Sequence, residues 1–142
     1  MTFLKKSIHV FINLMLRRRE YLPWFKKKFA AFGVGGGIEY PSVIVGYEDI
    51  YIGKNTYILA NSRIQVYNKL TQMEAKITIG DNCYIGYHLT ILAGGSISIG
   101  DNVLIASYVL ITSENHGMNP ESSTPYMDQP LVCKDVSIGE GC

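Results

Sequence analysis

The chain has 142 residues, 47% hydrophobic and 18% charged, with a formal net charge of +1. That balance suits one packed domain and argues against a disordered chain, which combines low hydrophobicity with high net charge. Three cysteines, Cys83, Cys133 and Cys142, form no CxxC pair and leave one over, which argues against a disulfide framework or a zinc knuckle and fits a reducing cytoplasm.

Charge is unevenly placed along the chain. Residues 1–37 hold eight basic side chains against Glu20 alone, whereas residues 38–142 hold five against eleven acids. The division predicts a basic amphipathic helical arm, 1–37, ahead of a mildly acidic body, 38–142. Within the arm a helix is predicted over 3–19, with a break at Pro23 before a second short segment, 24–32. Its apolar stretch, 7–16, is ten residues long and contains His9 and Asn13. A bilayer span takes about 20 apolar residues, so this is not a transmembrane helix. No small-residue cleavage site follows it, which argues against a secretory signal.

Two readings of the arm stand side by side. Aromatic and aliphatic residues between Lys and Arg clusters suit a helix lying on an anionic membrane surface. The same segment suits a cap over the open end of a repeat domain. The protein is accordingly expected in the cytoplasm, with contact at the inner face of the cell membrane through this arm. No nucleic-acid-binding motif accompanies the charge. Val34-Gly35-Gly36-Gly37 reads as a flexible joint into the body.

The body repeats itself. Isoleucines fall at six-residue steps: Ile52, Ile58 and Ile64; Ile79, Ile85 and Ile91; Ile99, Ile105 and Ile111; then Ile138. Each run opens alike, with Ile-Gly-Lys-Asn at 52–55, Ile-Gly-Asp-Asn at 79–82 and 99–102, and Ile-Gly-Glu-Gly at 138–141. A helix wants apolar residues three and four apart and a strand wants alternation. A six-residue period is neither, and self-similarity at a fixed short step marks a stacked solenoid. In each unit the isoleucine and the fifth residue are predicted to face a core, and Gly-x-Asn to form a corner tolerant of positive φ. Cys83 and Cys142 occupy fifth slots and are expected to be packing residues.

Three hexapeptides make one coil, and the coils are interrupted at one phase. Beyond the regular step, nine residues are inserted after Ile64, two after Ile91 and 21 after Ile111. An earlier, less regular turn (Ile38, Ile44, Ile52) has two extra residues in the same place. All would emerge from one edge of a three-sided prism, and insertions on one face of a repeat array often build its binding surface.

The longest insertion opens with Thr112-Ser113-Glu114-Asn115-His116. The stretch 79–116, IGDNCYIGYHLTILAGGSISIGDNVLIASYVLITSENH, together with the phased hexapeptides over about 38–142, resembles the left-handed β-helix acyltransferases. The nearest branch is the sugar and polysaccharide O-acetyltransferases that includes the galactoside and maltose enzymes. The resemblance implies an all-β solenoid, a left-handed parallel β-helix, assembled as a homotrimer with a site at each subunit interface. It implies acetyl transfer from acetyl-CoA to a sugar hydroxyl, without a metal, and His116 matches the general base in position. The chemistry requires such a group, because a sugar hydroxyl is too weakly acidic to attack a thioester at neutral pH. Imidazole titrates at about 6.5 and can take the proton as the bond forms, a contribution of about 10²–10⁴-fold. Glu114 and Asn115 are candidates for holding the acceptor or fixing the tautomer of His116, and equally for capping a turn. His88, in the preceding coil, is a candidate lining residue of the acceptor cleft.

Two departures from that branch bear on function. Galactoside and maltose acetyltransferases have Asn-Phe-Asn-Leu-Thr-Ile where this chain has Gly86-Tyr87-His88-Leu89-Thr90-Ile91. Their acceptor-holding Asn falls on Gly86, and an acidic residue falls on Gly94. A cell-surface polysaccharide precursor (O-antigen, capsule or exopolysaccharide) is therefore the expected acceptor. The chain also stops at Cys142, inside a hexapeptide, where relatives continue with Trp-Ile-Gly and coils carrying most of their CoA contacts. Residues binding CoA are thus expected beyond Cys142, and this chain is expected to bind acetyl-CoA weakly or not at all. Alternatives stay open: N-acetyl transfer to a sugar nucleotide, O-acetyl transfer to serine, or an inactive truncated scaffold. A γ-class carbonic anhydrase shares the solenoid but needs three zinc histidines, and the repeats hold only His88 and His116.

Overall fold

A computed structural model describes residues 23–71 and 73–142. The expected helix at 3–19 and His9 lie outside the described residues. A short helix, α1 (Pro23–Lys26), leads into the first coil, made of β1 (Ala31–Phe32), β2 (Gly37–Ile38) and β3 (Val43–Val45). The second coil is β4 (Ile50–Ile52), β5 (Tyr57–Ile58) and β6 (Arg63–Val66), followed by α2 (Asn68–Thr71). The third is β7 (Ile77–Ile79), β8 (Tyr84–Ile85) and β9 (Thr90–Ala93), and the fourth is β10 (Ile97–Ile99), β11 (Leu104–Ile105) and β12 (Leu110–Thr112). A hairpin of β13 (Glu114–Asn115) and β14 (Val132–Cys133) then precedes β15 (Val136–Ile138), which starts a fifth coil.

The strands stack into three parallel sheets, β1-β4-β7-β10-β15, β2-β5-β8-β11 and β3-β6-β9-β12. This is a left-handed parallel β-helix. Its register follows the isoleucine period. Ile52, Ile79, Ile99 and Ile138 pair in one column, Ile38, Ile58, Ile85 and Ile105 in a second, and Ile44, Ile64, Ile91 and Ile111 in the third. All are buried except Ile138, which is half-buried. Burying one such side chain is worth about 1.5–3 kcal/mol, so these columns supply the core that short strands alone would lack.

The corners divide their work between Asn and Gly. Asn55, Asn82 and Asn102 adopt φ of 53°, 56° and 58°, the left-handed conformation that Asn tolerates. Their amides form a ladder, Asn55 Nδ2 donating to Asn82 Oδ1 at 3.1 Å and Asn82 Nδ2 to Asn102 Oδ1 at 3.3 Å. The repeat glycines serve differently from the expectation of positive φ: a Cβ on Gly80 would lie 2.2 Å from Asp101 Oδ1 and 2.6 Å from the Gly100 carbonyl carbon. They are glycines because the next coil passes too close for any side chain. In the fifth slots Thr56, Cys83 and Val103 are buried as expected. Cys142 is exposed instead, with no coil stacked on it among the described residues.

The start of the body also differs from its sequence reading. Val34-Gly35-Gly36-Gly37 is a corner rather than a joint: β1 pairs with β4, Gly37 pairs with Tyr57, and Gly35 (φ 81°) lies against Asn55. The coils thus begin at Ala31. Below them Phe25 and Phe29 are buried and meet Tyr47 edge-to-face at 5.3 and 5.1 Å. They close the bottom of the core, the capping role that a solenoid end needs.

Candidate functional site

All insertions leave the same corner, between the third sheet and the first, as the six-residue phase predicts. The long one is an ordered structure. Ser113, 5% exposed, fixes its root: its Oγ donates to the Gly95 carbonyl at 2.7 Å, and Lys134 N donates to the Ser113 carbonyl at 2.9 Å. From there β13 and β14 pair antiparallel, Glu114 opposite Cys133 and Asn115 opposite Val132. The tip is organised by Gln129, 8% exposed. Its Nε2 donates to the carbonyls of Asn119 and Thr124 at 3.2 and 3.0 Å, and its Oε1 accepts from Asn119 N at 3.0 Å. Gly117 N adds a bond to the Pro130 carbonyl at 3.1 Å.

β13 ends at Asn115 and His116 follows it directly. His116 and Asn115 are exposed and line a cleft of about 570 Å³ with Met118, Tyr126 and Met127. The imidazole therefore stands at the mouth of the insertion with apolar groups opposite it. Met118, Tyr126 and Met127 are themselves exposed, so the cleft is shallow and open on its outer side.

Glu114 turns toward the body, onto the outer face of the third sheet. A Cβ on Gly94 would lie 2.8 Å from Glu114 Oε2 and 2.8 Å from Cys133 Sγ. The glycine leaves the space that these two groups fill, and any side chain at position 94 would displace them. Glu114 Oε2 is buried and has no hydrogen-bond partner among the described residues. Burial raises the carboxyl above the ordinary glutamate range, while the charges of His116 and Arg63 pull it partly back. Cys133 is also pushed up, by burial and by Glu114, which disfavours the thiolate and a nucleophilic role. Two coils below, Arg63 Nε and Tyr67 Oη both donate to Gln65 Oε1, fixing a polar patch on the same face.

His88 lies elsewhere. It occupies the corner between the second and third sheets, where Asn61, His88 and Tyr108 stack with φ of 60°, 59° and 64°. Its ring lies on that of Tyr108, 4.6 Å between centroids and 7° from parallel. The length of β9 separates this corner from the one carrying the long insertion, about 13 Å, so one chain does not bring His88 to His116. Gln129 and Arg63 were not foreseen. Arg63 carried a weak signal, as the outward residue before Ile64; Gln129 carried none. Among the described residues no group of three or more metal-ligating side chains occurs, and no helix is long and apolar enough to cross a membrane.

No protein-family model matches the sequence, and no curated protein matches it. Among solved structures the chain is similar to AntD, an N-acyltransferase from Bacillus cereus. A variant of AntD in complex with dTDP and coenzyme A superposes with a TM-score of 0.70 at 19% identity, covering 87% of this chain and 65% of that one. AntD with dTDP and 3-hydroxybutyryl-CoA gives 0.67 at 21%, covering 86% and 64%. A further variant, with dTDP-4-amino-4,6-dideoxyglucose and coenzyme A, gives 0.70 at 19%, covering 86% and 64%. Identity at this level establishes the shared fold. The chain spans slightly under two thirds of the length of these neighbours.

Proposed function

We propose that the protein is a CoA-dependent acyltransferase that acylates a sugar acceptor, with His116 as general base. The observation that carries this reading is the position of His116, exposed on a cleft at the mouth of the one long insertion. There the imidazole takes the proton of the attacking group as it adds to the thioester carbonyl, and later returns it to the leaving thiolate. Acetyl-CoA is the proposed donor, supported by the sequence resemblance and by the CoA bound in the AntD crystals. The resemblance favours a hydroxyl of a cell-surface polysaccharide precursor. The aminosugar in an AntD crystal supports an amine on a sugar nucleotide as the second reading.

Assembly as a homotrimer completes the proposal. Tyr57, Tyr84 and Leu104 form one exposed column on the second sheet, 40%, 50% and 69% exposed. An exposed apolar column of this kind supports a contact between chains. Asn115 is assigned to the acceptor, His88 to a cleft wall supplied across that contact, and the basic arm to an anionic membrane surface on the cytoplasmic side. The test is transfer of radiolabel from acetyl-CoA to sugar acceptors. Label in the sugar, dependent on His116, supports the reading; label released only as free acetate contradicts it.

A further inference from the structure

We infer that Arg63, Gln65 and Tyr67 form a subsite for a carboxylate, and that the acceptor is an acidic sugar or oligosaccharide. The inference deepens the acyltransferase reading, and the identity of the ligand as the acceptor rests on that reading. Arg63 and Gln65 alternate along β6 with the core residues Ile64 and Val66, and Tyr67 follows the strand directly. They stand on the outer face of the third sheet, two coils below the root of the long insertion.

Their hydrogen bonds leave donors open. Arg63 Nε can only donate, so the Gln65 atom that it meets at 2.8 Å is Oε1. The Tyr67 hydroxyl donates to the same oxygen. With both bonds made the amide cannot turn over, and Gln65 Nε2 is left without a partner among the described residues. Gln65 is 8% exposed, so its amide has given up most of its water. Glu114 Oε2 is the one partnerless atom sealed from solvent among the described residues, so Gln65 Nε2 keeps an opening to the surface. Arg63 uses only Nε in this network, and its two Nη groups face outward from an exposed side chain. A fixed guanidinium beside an amide donor, with the amide oxygen already taken, fits an anion.

The surroundings favour a carboxylate on a sugar. The planar guanidinium edge matches a carboxylate through two parallel bonds. Arg63 already acts on the charge of Glu114, so a single negative charge is better balanced here than a phosphate dianion. Val43 and Val45, exposed on β3, pair beside Arg63 and Gln65, and half-buried Leu92 on β9 lies on the other side of Gln65. They offer the C–H face of a pyranose ring an apolar surface. His116 acts on the charge of Glu114 as Arg63 does, and such influence reaches about 8–10 Å. The subsite and the base thus flank one carboxyl, and one oligosaccharide spans both.

The test is an NMR titration of the protein with glucuronate, its neutral methyl ester and inorganic phosphate, read at the side-chain amide of Gln65. A hydrogen bond to a charged group is worth about 10–100-fold. Glucuronate is expected to bind by that factor more tightly than the ester, and Arg63→Gln to abolish the preference. Arg63→Lys is expected to recover it only in part, because lysine keeps the charge and lacks the fork. Circular dichroism establishes that both variants are folded. Equal affinity for acid and ester, no saturable binding of glucuronate, or a preference that survives Arg63→Gln overturns the inference. Tighter binding of phosphate than of glucuronate overturns it in favour of a phosphate site. Acyl transfer to neutral sugars as efficient as to acidic ones overturns the acidic acceptor and leaves acyl transfer standing. Glucuronate binding at Gln65 with no acyl transfer to any sugar leaves the subsite and overturns the enzymatic reading.

Discussion

Gly80→Ala tests the close packing of the coils. The added methyl would meet Asp101 Oδ1 at 2.2 Å, the Gly100 carbonyl carbon at 2.6 Å and Asp101 N at 2.7 Å. Asp101 cannot turn aside freely, because its Oδ1 accepts the Asp81 amide at 2.7 Å. The other two atoms are backbone of the next coil and move only if the third and fourth coils part. Overpacking of this kind costs about 1–3 kcal/mol, and losing the Asp101 bond adds about 1 kcal/mol. Reduced freedom of the unfolded chain returns about 0.4–1 kcal/mol. The net is about 2–3 kcal/mol, which lowers Tm by about 10 °C in a domain of this size. Gly139 holds the same motif position, but a Cβ there has nothing within 4 Å. Gly139→Ala is therefore expected to leave Tm unchanged or slightly raised. Thermal unfolding of both variants by circular dichroism decides the matter. Equal shifts, or a Gly80→Ala protein as stable as wild type, would refute coil contact as the reason for the repeat glycines.

Gln129→Ala removes the bonds to Asn119 and Thr124; hydrogen exchange across 117–129 is expected to quicken by an order of magnitude or more, with little change in the coils. Glu114 has a native pKa raised above its unfolded value, so it favours the fold at low pH and that contribution is lost as pH rises through the native pKa. Glu114→Gln is thus expected to gain stability relative to wild type at pH 7 and not at pH 4, and an equal effect at both pH values would exclude burial as the cause. Charge reversal of Arg17, Arg18 and Arg19 is expected to weaken binding to anionic vesicles by about 1 kcal/mol per basic residue neutralised. Unchanged vesicle binding at low salt would leave the arm a cap.

The coils were legible because a β-helix enforces one spacing on every turn: a slip of one residue would turn Ile79, Ile85 and Ile91 out of the core. The shared phase of the insertions likewise placed the edge that bears His116. Less was legible where stacking between coils decides. Gly80 and Asn82 look alike as turn formers, yet one is set by the backbone above it and the other by its own φ. Gly35 and Gly36 read as a hinge because their partners, Asn55 and Thr56, lie a full coil away. Glu114 over Gly94 joins residues on neighbouring coils, and Gln129 closes a loop with no repeat to phase it. No spacing rule reaches such contacts.

The most direct measurement is turnover with acetyl-CoA and a sugar acceptor, followed by release of CoA thiol, in wild type and His116→Ala. Loss of a positioned base lowers kcat by about 10²-fold or more, with Tm unchanged because the side chain is exposed. That drop in a folded variant is the result expected; near-normal kcat in His116→Ala would contradict His116 as the base.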